Sequence, residues 1–319
     1  MPTIYEVAAL AGVSPATVSR VINGVSVSPE KAQLVRDAAA RLAFTPSRAA
    51  RSLRRRSSEV IALVIPDIEN PFFTAMARGV EDVAQAAGYS VVLCNTDDDP
   101  AKEGRYLDIA ASENMAGIIL ATAGDQADVK QHTDSGRPVV AVDRAVHGVD
   151  VDTVLVDNVG GGRAATASLF DRGHSIVACI TGPADVVTAR ERAAGWEEIV
   201  RARGGEPGPY LRHADFRVDG GRREMAELLR LPVPPDAVFV ANNLMSVGAL
   251  QVLFEEGRAA AGIDIASFGD LPFPTLAPTG ISIVPLPARR LGATATRMLI
   301  ERIAGADEPA RTVVLRNEP

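Results

Sequence analysis

Residues 14–23 read SPATVSRVIN, and residues 47–56 read SRAARSLRRR. In the first stretch, Ser14 followed by Pro15 is a helix start, with serine as N-cap and proline at the first helical position. Val18, Val21 and Ile22 give that helix an apolar stripe, and Asn23-Gly24 ends it. Ala16, Thr17, Ser19 and Arg20 are left on its outer face, where small polar side chains and one cation suit a groove. Upstream, Thr3-Ile4-Tyr5-Glu6 is a capping box: Thr3 accepts from a first-turn amide and Glu6 reaches back. Ile4, Val7, Ala8 and Ala11 then share one face, and Gly12 stops the helix. Downstream, Ser28-Pro29 repeats the start signal for a third helix running to about Leu42, with Leu34, Ala38 and Leu42 inward. The short gap between the first two helices is helix-turn-helix spacing. A three-helix bundle with no ligand has the same spacing. The polar outer face of the second helix favours DNA, and so does the charge distribution.

The chain of 319 residues carries a formal charge of −7, but the charge is unevenly spread. Residues 1–58 hold nine Lys/Arg and three acids, leaving 24 basic and 37 acidic residues for the rest. A basic amino-terminal module on an acidic body implies that the module meets phosphate and the body does not. The second quoted stretch supplies five of those arginines. It follows a turn at Thr45-Pro46, and Ser47 caps a helix expected over 48–54. So short a helix is unstable alone. Basic residues around one large apolar side chain, Leu53, form the pattern of a minor-groove element with a wedge. A solvated interdomain linker is the alternative, and the pattern favours the wedge.

TIYEVAALAGVSPATVSRVING, VSPEKAQLVRDAAARLAFTP and SRAARSLRRRSSEVIALVIPDIENPFF together resemble the LacI/GalR family of bacterial transcription regulators. The resemblance runs over essentially the whole chain. It implies that the second helix reads the major groove, with Pro15, Ala16 and Arg20 facing bases. Thr17, Ser19 and Asn23 lie near phosphates, and Thr3, Tyr5 and Ser14 complete the DNA-contacting set. It also implies that Arg48, Arg51, Ser52 and Leu53 belong to a hinge helix formed on operator DNA, where Leu53 opens the central base step. The loop between Gly24 and Ser28 is one residue shorter than the family's.

Beyond residue 58, short apolar runs alternate with amphipathic helical patterns. VIALVIP (60–66), YSVVLCN (89–95), AGIILAT (116–122), PVVAVD (138–143), TVLVDN (153–158), SIVACIT (175–181), DAVFVAN (236–242), DIASFG (264–269) and ISIV (281–284) read as strands. Most are apolar throughout, as in parallel sheets covered on both faces. Repeated βα units imply a doubly wound α/β body, and nine strands are too many for one compact sheet, so two are expected. The resemblance implies the periplasmic-binding-protein type I fold. The expected organisation is a helix-turn-helix domain over 1–46, a hinge helix and linker over 47–58, and an effector-binding and dimerisation domain over 59–319. Within the last, 59–157 with 286–305 form one subdomain, and 158–285 with 309–319 the other. Many relatives continue past VVLRNEP into one more strand, so a terminal strand is expected to be missing or short.

Ligands of such sheets sit at the carboxyl ends of strands. Phe72 and Phe73, Asp143 and Arg144, Asp157, and Asn242 all follow strand ends. Carboxylates, an amide and an arginine around aromatic faces suit a polyhydroxylated ligand such as a carbohydrate. An Asp at a strand end is also a common helix cap. The resemblance adds Arg192 and Phe216 as effector contacts. The family's ligand-holding Asp falls at Gly269 here, so either Asp270 takes its place from the neighbouring position or the effector differs.

The remaining chemistry is sparse. Gly160-x-Gly162-x-x-Ala165 (160–165), between a strand and a helix, matches a dinucleotide fingerprint, which makes an NAD-dependent oxidoreductase the rival reading. Its usual acidic partner is not in place, since Thr181-Gly182 ends the next strand. Cys94 and Cys179 form no CxxC, and His132, His147, His174 and His213 lack metal-ligand spacing. No cofactor and no metal are expected. No apolar run approaches the ~18 residues of a membrane span, and the amino terminus is not a secretory signal. The expectation is a cytoplasmic repressor. It would be a homodimer bound to palindromic operator DNA, with a small carbohydrate effector between two subdomains and the helix after NPFF at the dimer interface.

Overall fold

The structure is a computed structural model of the chain and describes residues 2–22, 25–44, 58–124, 129–257, 262–271 and 280–317. It divides into two compact units, Met1–Ser58 and Glu59–Pro319.

The first unit has three helices: α1 (Ile4–Ala11), α2 (Pro15–Ile22) and α3 (Pro29–Arg41). The capping box on α1 is formed. Thr3 Oγ1 accepts from the Glu6 amide at 3.4 Å, and the Glu6 carboxylate accepts from the Thr3 amide at 2.6 Å. The Thr3 amide and hydroxyl, both donating to it, hold the Glu6 carboxyl below the usual carboxylate range. Gly12 closes α1 at φ 66°, a left-handed cap that glycine adopts without strain. Ser14 Oγ accepts from the Thr17 amide at 3.2 Å and opens α2. The core is Val7, Ala8, Ala11, Val18, Val35 and Ala38. One expectation is corrected here: Leu34 is 47% exposed, and Val35 takes the inward position. Val35 and Ala38 are one helical turn apart on the same face, and Leu34 is rotated about 100° away. The expected segment 48–54 and Asn23 lie outside the described residues.

The second unit contains two parallel sheets, as the fold class requires. The strands are β1 (Val60–Ile65), β2 (Ser90–Asn95), β3 (Gly117–Leu120), β4 (Val139–Val142), β5 (Asp152–Val156), β6 (Val177–Thr181), β7 (Leu211–His213), β8 (Ala237–Val240), β9 (Asp264–Phe268), β10 (Ile281–Val284) and β11 (Thr312–Leu315). The six-stranded sheet has the order β11-β5-β4-β3-β1-β2, and the five-stranded sheet has the order β10-β9-β8-β6-β7. Their helices are α4 (Pro71–Ala86), α5 (Pro100–Ser112), α6 (Lys130–Asp134), α7 (Asn158–Asp171), α8 (Val187–Ala202), α9 (Val218–Leu229), α10 (Asn243–Glu255) and α11 (Ala288–Ile303). β1, β3, β4, β6 and β8 are buried almost end to end, which is why their sequences lack polar alternation. Cys94 and Cys179 are buried free thiols, and burial raises both above the ordinary thiol value.

The helices pack through reciprocal glycines. A Cβ on Gly79 of α4 would overlap the Arg289 carbonyl of α11, and one on Gly292 of α11 would overlap the Met76 carbonyl of α4. Gly162 and Gly195 do the same for α7 and α8, and Gly221 and Gly248 for α9 and α10. In each pair, backbone lies against backbone.

The carboxyl terminus corrects the expected subdomain division. β11 is present, and it pairs with β5 of the six-stranded sheet (Thr312 opposite Thr153), not with the second half to which 309–319 was assigned. A clasp explains this. The Asp152 carboxylate accepts from Arg302 Nε at 2.8 Å, from Arg302 Nη2 at 2.9 Å and from the Arg311 amide at 2.7 Å, tying α11 and β11 to β5. Only past β11 does the chain return, with the Asn317 side chain lying over Gly161 of α7. The body is therefore crossed three times, after β5, after β10 and after β11.

Burial acts to raise the Asp152 carboxyl, but Arg302 and the Arg311 amide outweigh it and hold the group below its ordinary value. A folded-state value below the unfolded one means that its stabilisation is complete above about pH 4 and is lost as pH falls through the folded value. Asp152→Asn is thus expected to lower the urea midpoint at about pH 7. The gap from wild type should narrow progressively towards about pH 3. A gap that stays constant over that range would contradict the clasp.

Candidate functional site

A cleft of about 540 Å³, open to solvent, lies between the two sheets at the carboxyl ends of their strands. Among the expected contacts, Phe72, Phe73, Asp143, Arg144, Arg192, Phe216 and Asn242 line it. Residues that the sequence reading did not single out line it too, notably Asp67, Asp98, Asp215 and Arg217, with Thr188, Asn243 and Phe268.

The first half contributes an aromatic edge and a charged wall. Asn70 caps α4 by accepting from the Phe72 amide at 3.0 Å, which sets Phe72 and Phe73 edge-to-face with ring centroids 5.0 Å apart. Asp143 follows β4 at φ 64° and is buried. Arg144 Nη1 donates to the Thr122 carbonyl at 2.9 Å. Its Nε is buried with no hydrogen-bond acceptor, lying 3.7 Å from Asp143 Oδ2. Asp98 Oδ1 is 3.7 Å from Arg144 Nη1. These pairs are too long for hydrogen bonds, so a buried donor stands ready for a ligand oxygen. Burial lifts the Asp98 carboxyl above its ordinary range, against the pull of Arg144 and Arg217.

The second half is organised around Arg192. Its Nε donates to Asn158 Oδ1 at 2.9 Å and its Nη1 to the Ala241 carbonyl at 2.8 Å, and the guanidinium lies 4.6 Å from the Phe268 ring centre. Burial lowers its pKa to about 10, with Asp143 across the cleft opposing that shift. The group remains a cation at neutral pH. Asn242 caps α10 by accepting from the Met245 amide at 2.7 Å, and its Nδ2 donates to the Phe216 carbonyl at 3.2 Å. Phe216 sits at φ 62°, which is uncommon for a bulky residue. Its ring lies directly on Gly182, where a Cβ would overlap three ring carbons.

Two expected contacts are not brought to the cleft. Asp157 caps α7, accepting from the Gly160 amide at 2.8 Å, and does not line the cleft. Its carboxylate is satisfied by the helix it starts. Asp270 is exposed and likewise outside the lining. The preceding Gly269, at φ 99°, has Leu286 and Asn243 bordering the place of its missing side chain. The glycine-rich turn of the rival reading is filled by protein: Gly160 faces the Asp157 carboxylate, Gly161 faces Asn317 and Phe268, and Gly162 faces the Arg192 carbonyl. These glycines serve packing, and a pyrophosphate would find their approach occupied. No cluster of three or more metal-ligating side chains occurs among the described residues. Nor is any described helix long and apolar enough to cross a membrane.

In the amino-terminal unit, Thr3, Tyr5, Ser14, Pro15, Ala16 and Arg20 are exposed, and Thr17 and Ser19 partly so. Tyr5 is 72% exposed, well beyond what a packed aromatic shows. Arg48, Arg51, Ser52 and Leu53 lie outside the described residues.

A helix-turn-helix unit joined to a cleft-bearing two-sheet body defines a ligand-controlled DNA-binding regulator. Residues 3–47 match the family described as bacterial regulatory proteins, lacI family. Residues 58–317 match the periplasmic binding proteins and sugar binding domain of the LacI family. The ribose operon repressor of Halalkalibacterium halodurans is 37% identical over 305 residues, covering 95% of this chain and 91% of its own. The ribose operon repressor of Escherichia coli is 35% identical, covering 95% of this chain and 93% of its own. The solved structure of transcriptional regulator CelR with cellobiose superposes with a TM-score of 0.74 at 32% identity, covering 100% of this chain and 98% of that one. The lac repressor dimer on operator shares the fold at TM-score 0.86 and 24% identity, covering 99% and 96% of the two chains. The chain belongs to the LacI family, and it is a DNA-binding transcription regulator governed by a small-molecule effector.

The Gly182 contact gives a test of the cleft. Gly182→Ala is expected to push the Phe216 ring into the ligand space and to abolish ligand-dependent stabilisation. Differential scanning fluorimetry of wild type and variant against a carbohydrate panel reads this directly. A variant keeping the full ligand-induced rise in melting temperature would contradict the arrangement.

Proposed function

We propose that the chain is a cytoplasmic repressor. It binds a palindromic operator as a homodimer and changes its grip when a sugar occupies the cleft. One observation carries the sugar reading: carboxylates, amides and the unsatisfied Arg144 Nε converge on a space edged by Phe72, Phe216 and Phe268. Polar groups of both signs grip hydroxyls, and aromatic faces accept the apolar side of a sugar ring. The names of relatives, ribose operon repressors and CelR with its cellobiose, support the same class. We take the chain to act by binding and not by catalysis.

The exposed face of α2 supplies the groove contacts, and the arginines of 47–56 supply the phosphate contacts. One helix-turn-helix unit buries too little surface for selective binding, which favours a symmetric pair on a palindrome. A coupling of about 1–3 kcal/mol between cleft and DNA would change operator affinity roughly 5- to 150-fold.

Selection from genomic DNA fragments with the purified chain should return a palindrome. Affinity for it should fall steeply between about 50 and 200 mM salt as counterions are released. A flat salt dependence would contradict the role of the arginines. Leu53→Ala is expected to weaken operator binding far more than non-specific binding, and equal losses would argue against a wedge. Arg192→Ala should abolish the sugar response and, by removing the bonds to Asn158 and the Ala241 carbonyl, lower the melting temperature, while the folded protein keeps its operator affinity in the absence of effector. A retained response would remove Arg192 from the site.

A further inference from the structure

Two charged side chains face each other across the mouth of the cleft, one from each half. Asp67 follows β1. Its Oδ1 accepts from the Glu69 amide at 2.9 Å, which fixes its loop, and its Oδ2 lies 4.0 Å from Arg217 Nη1. Arg217 is the N-cap of α9. Asp215 Oδ1 accepts from its amide at 3.0 Å, and the preceding Phe216, at φ 62°, is held through its carbonyl by Asn242. This left-handed kink turns residue 217 towards the other half. There Asp97 and Asp98, both also at positive φ, lie in its field. Three of the six described non-glycine residues at positive φ, Asp98, Asp143 and Phe216, line the cleft. Strain of that kind collects where geometry is set by function.

Four carboxylates and three guanidiniums line the cleft. Arg144 faces Asp98 and Asp143, Arg217 faces Asp67, and Arg192 is engaged by Asn158, the Ala241 carbonyl and the Phe268 ring. Each guanidinium lies in the field of a cleft carboxylate, Arg192 in that of Asp143, and the carboxylates outnumber the cations. An incoming phosphate or carboxylate would meet a repulsive field.

We infer that the Asp67–Arg217 pair is both a latch and a charge filter: it draws the two halves together before ligand arrives, and it makes the cleft select an uncharged sugar over its anionic form. The filter rests on the sugar reading above, and the latch does not. Arg217 is half exposed and Asp67 mostly covered, so the pair is partly screened and its effects are modest.

The latch is tested in the full-length, ligand-free protein. Glu69→Cys and Asp185→Cys place a spin-label pair on exposed sites of the two rims, the two native cysteines being buried. Asp67→Asn keeps the Glu69 contact and removes the charge. Asp67→Asn and Arg217→Gln are each expected to lengthen the inter-label distance, the double variant to match the singles, and the swap Asp67→Arg with Arg217→Asp to restore it. Wild-type distances in both single variants would overturn the latch, as would effects that simply add in the double variant. The filter is tested by titration calorimetry with D-ribose and D-ribose 5-phosphate. Wild type should prefer the free sugar, and Arg217 released by Asp67→Asn should narrow that preference roughly two- to five-fold. An unchanged ratio overturns the filter. Binding of neither sugar to wild type sinks the sugar reading and the filter with it, and the distances still decide the latch.

Discussion

The buried guanidinium of Arg192 is the constraint on which the second half of the body depends. A charge placed there must be compensated, because an unpaired buried ion is far too costly to persist. The compensation comes from three elements at once: Asn158 at the start of α7, the Ala241 carbonyl at the end of β8, and the Phe268 ring at the end of β9. Asn158 in turn donates through Nδ2 to Glu191 at 2.9 Å, so α7 and α8 are joined twice at the same end. One side chain thus fixes where two helices begin relative to two strands. It also presents the cation at the floor of the cleft, within the field of Asp143 from the other half. Scaffold and site share a single group, and the cleft is correspondingly pre-organised.

Much of the architecture was legible in the sequence because its signals are local. The capping box at Thr3 and Glu6, the glycine stop at Gly12 and the serine start at Ser14 all depend on residues within a turn of each other. Nine strands were readable as apolar runs, since a strand buried on both faces needs no partner to reveal it. β7 and β11 were not. β7 is three residues long and carries Arg212 and His213, and β11 is an edge strand with a largely uncovered surface. Leu34 misled because hydrophobicity was read as inwardness, whereas helical phase decides it. The misplacement of 309–319 had a tertiary cause, since the Asp152 clasp joins residues about 150 positions apart and leaves no local mark.

The cleft was partly legible for the same reason. Strand ends give the neighbourhood, so Phe72, Asp143, Arg144 and Asn242 were found. Whether a particular aspartate faces ligand or helix is settled by its own rotamer and the turn after it. Asp157 turns to its helix, and in the run Asp97-Asp98-Asp99 the first pairs with Lys102 and the third caps α5, which leaves Asp98 to line the cleft. Sequence shows that three acids are adjacent, but not which one is aimed. Asp67 and Arg217 pair across 150 residues, and no pattern along the chain connects them.

The glycine pairs between α4 and α11, α7 and α8, and α9 and α10 carry a mechanical meaning. Helices that touch backbone to backbone have no side-chain cushion between them, so they cannot slide or tilt by repacking rotamers. Each half of the body is in effect a stiff lever at these contacts, and the three places where the chain crosses over are where one half can turn against the other. A small displacement at the ligand end is then delivered undiminished to the far end of the same lever, and the six glycines set the fidelity of that gearing.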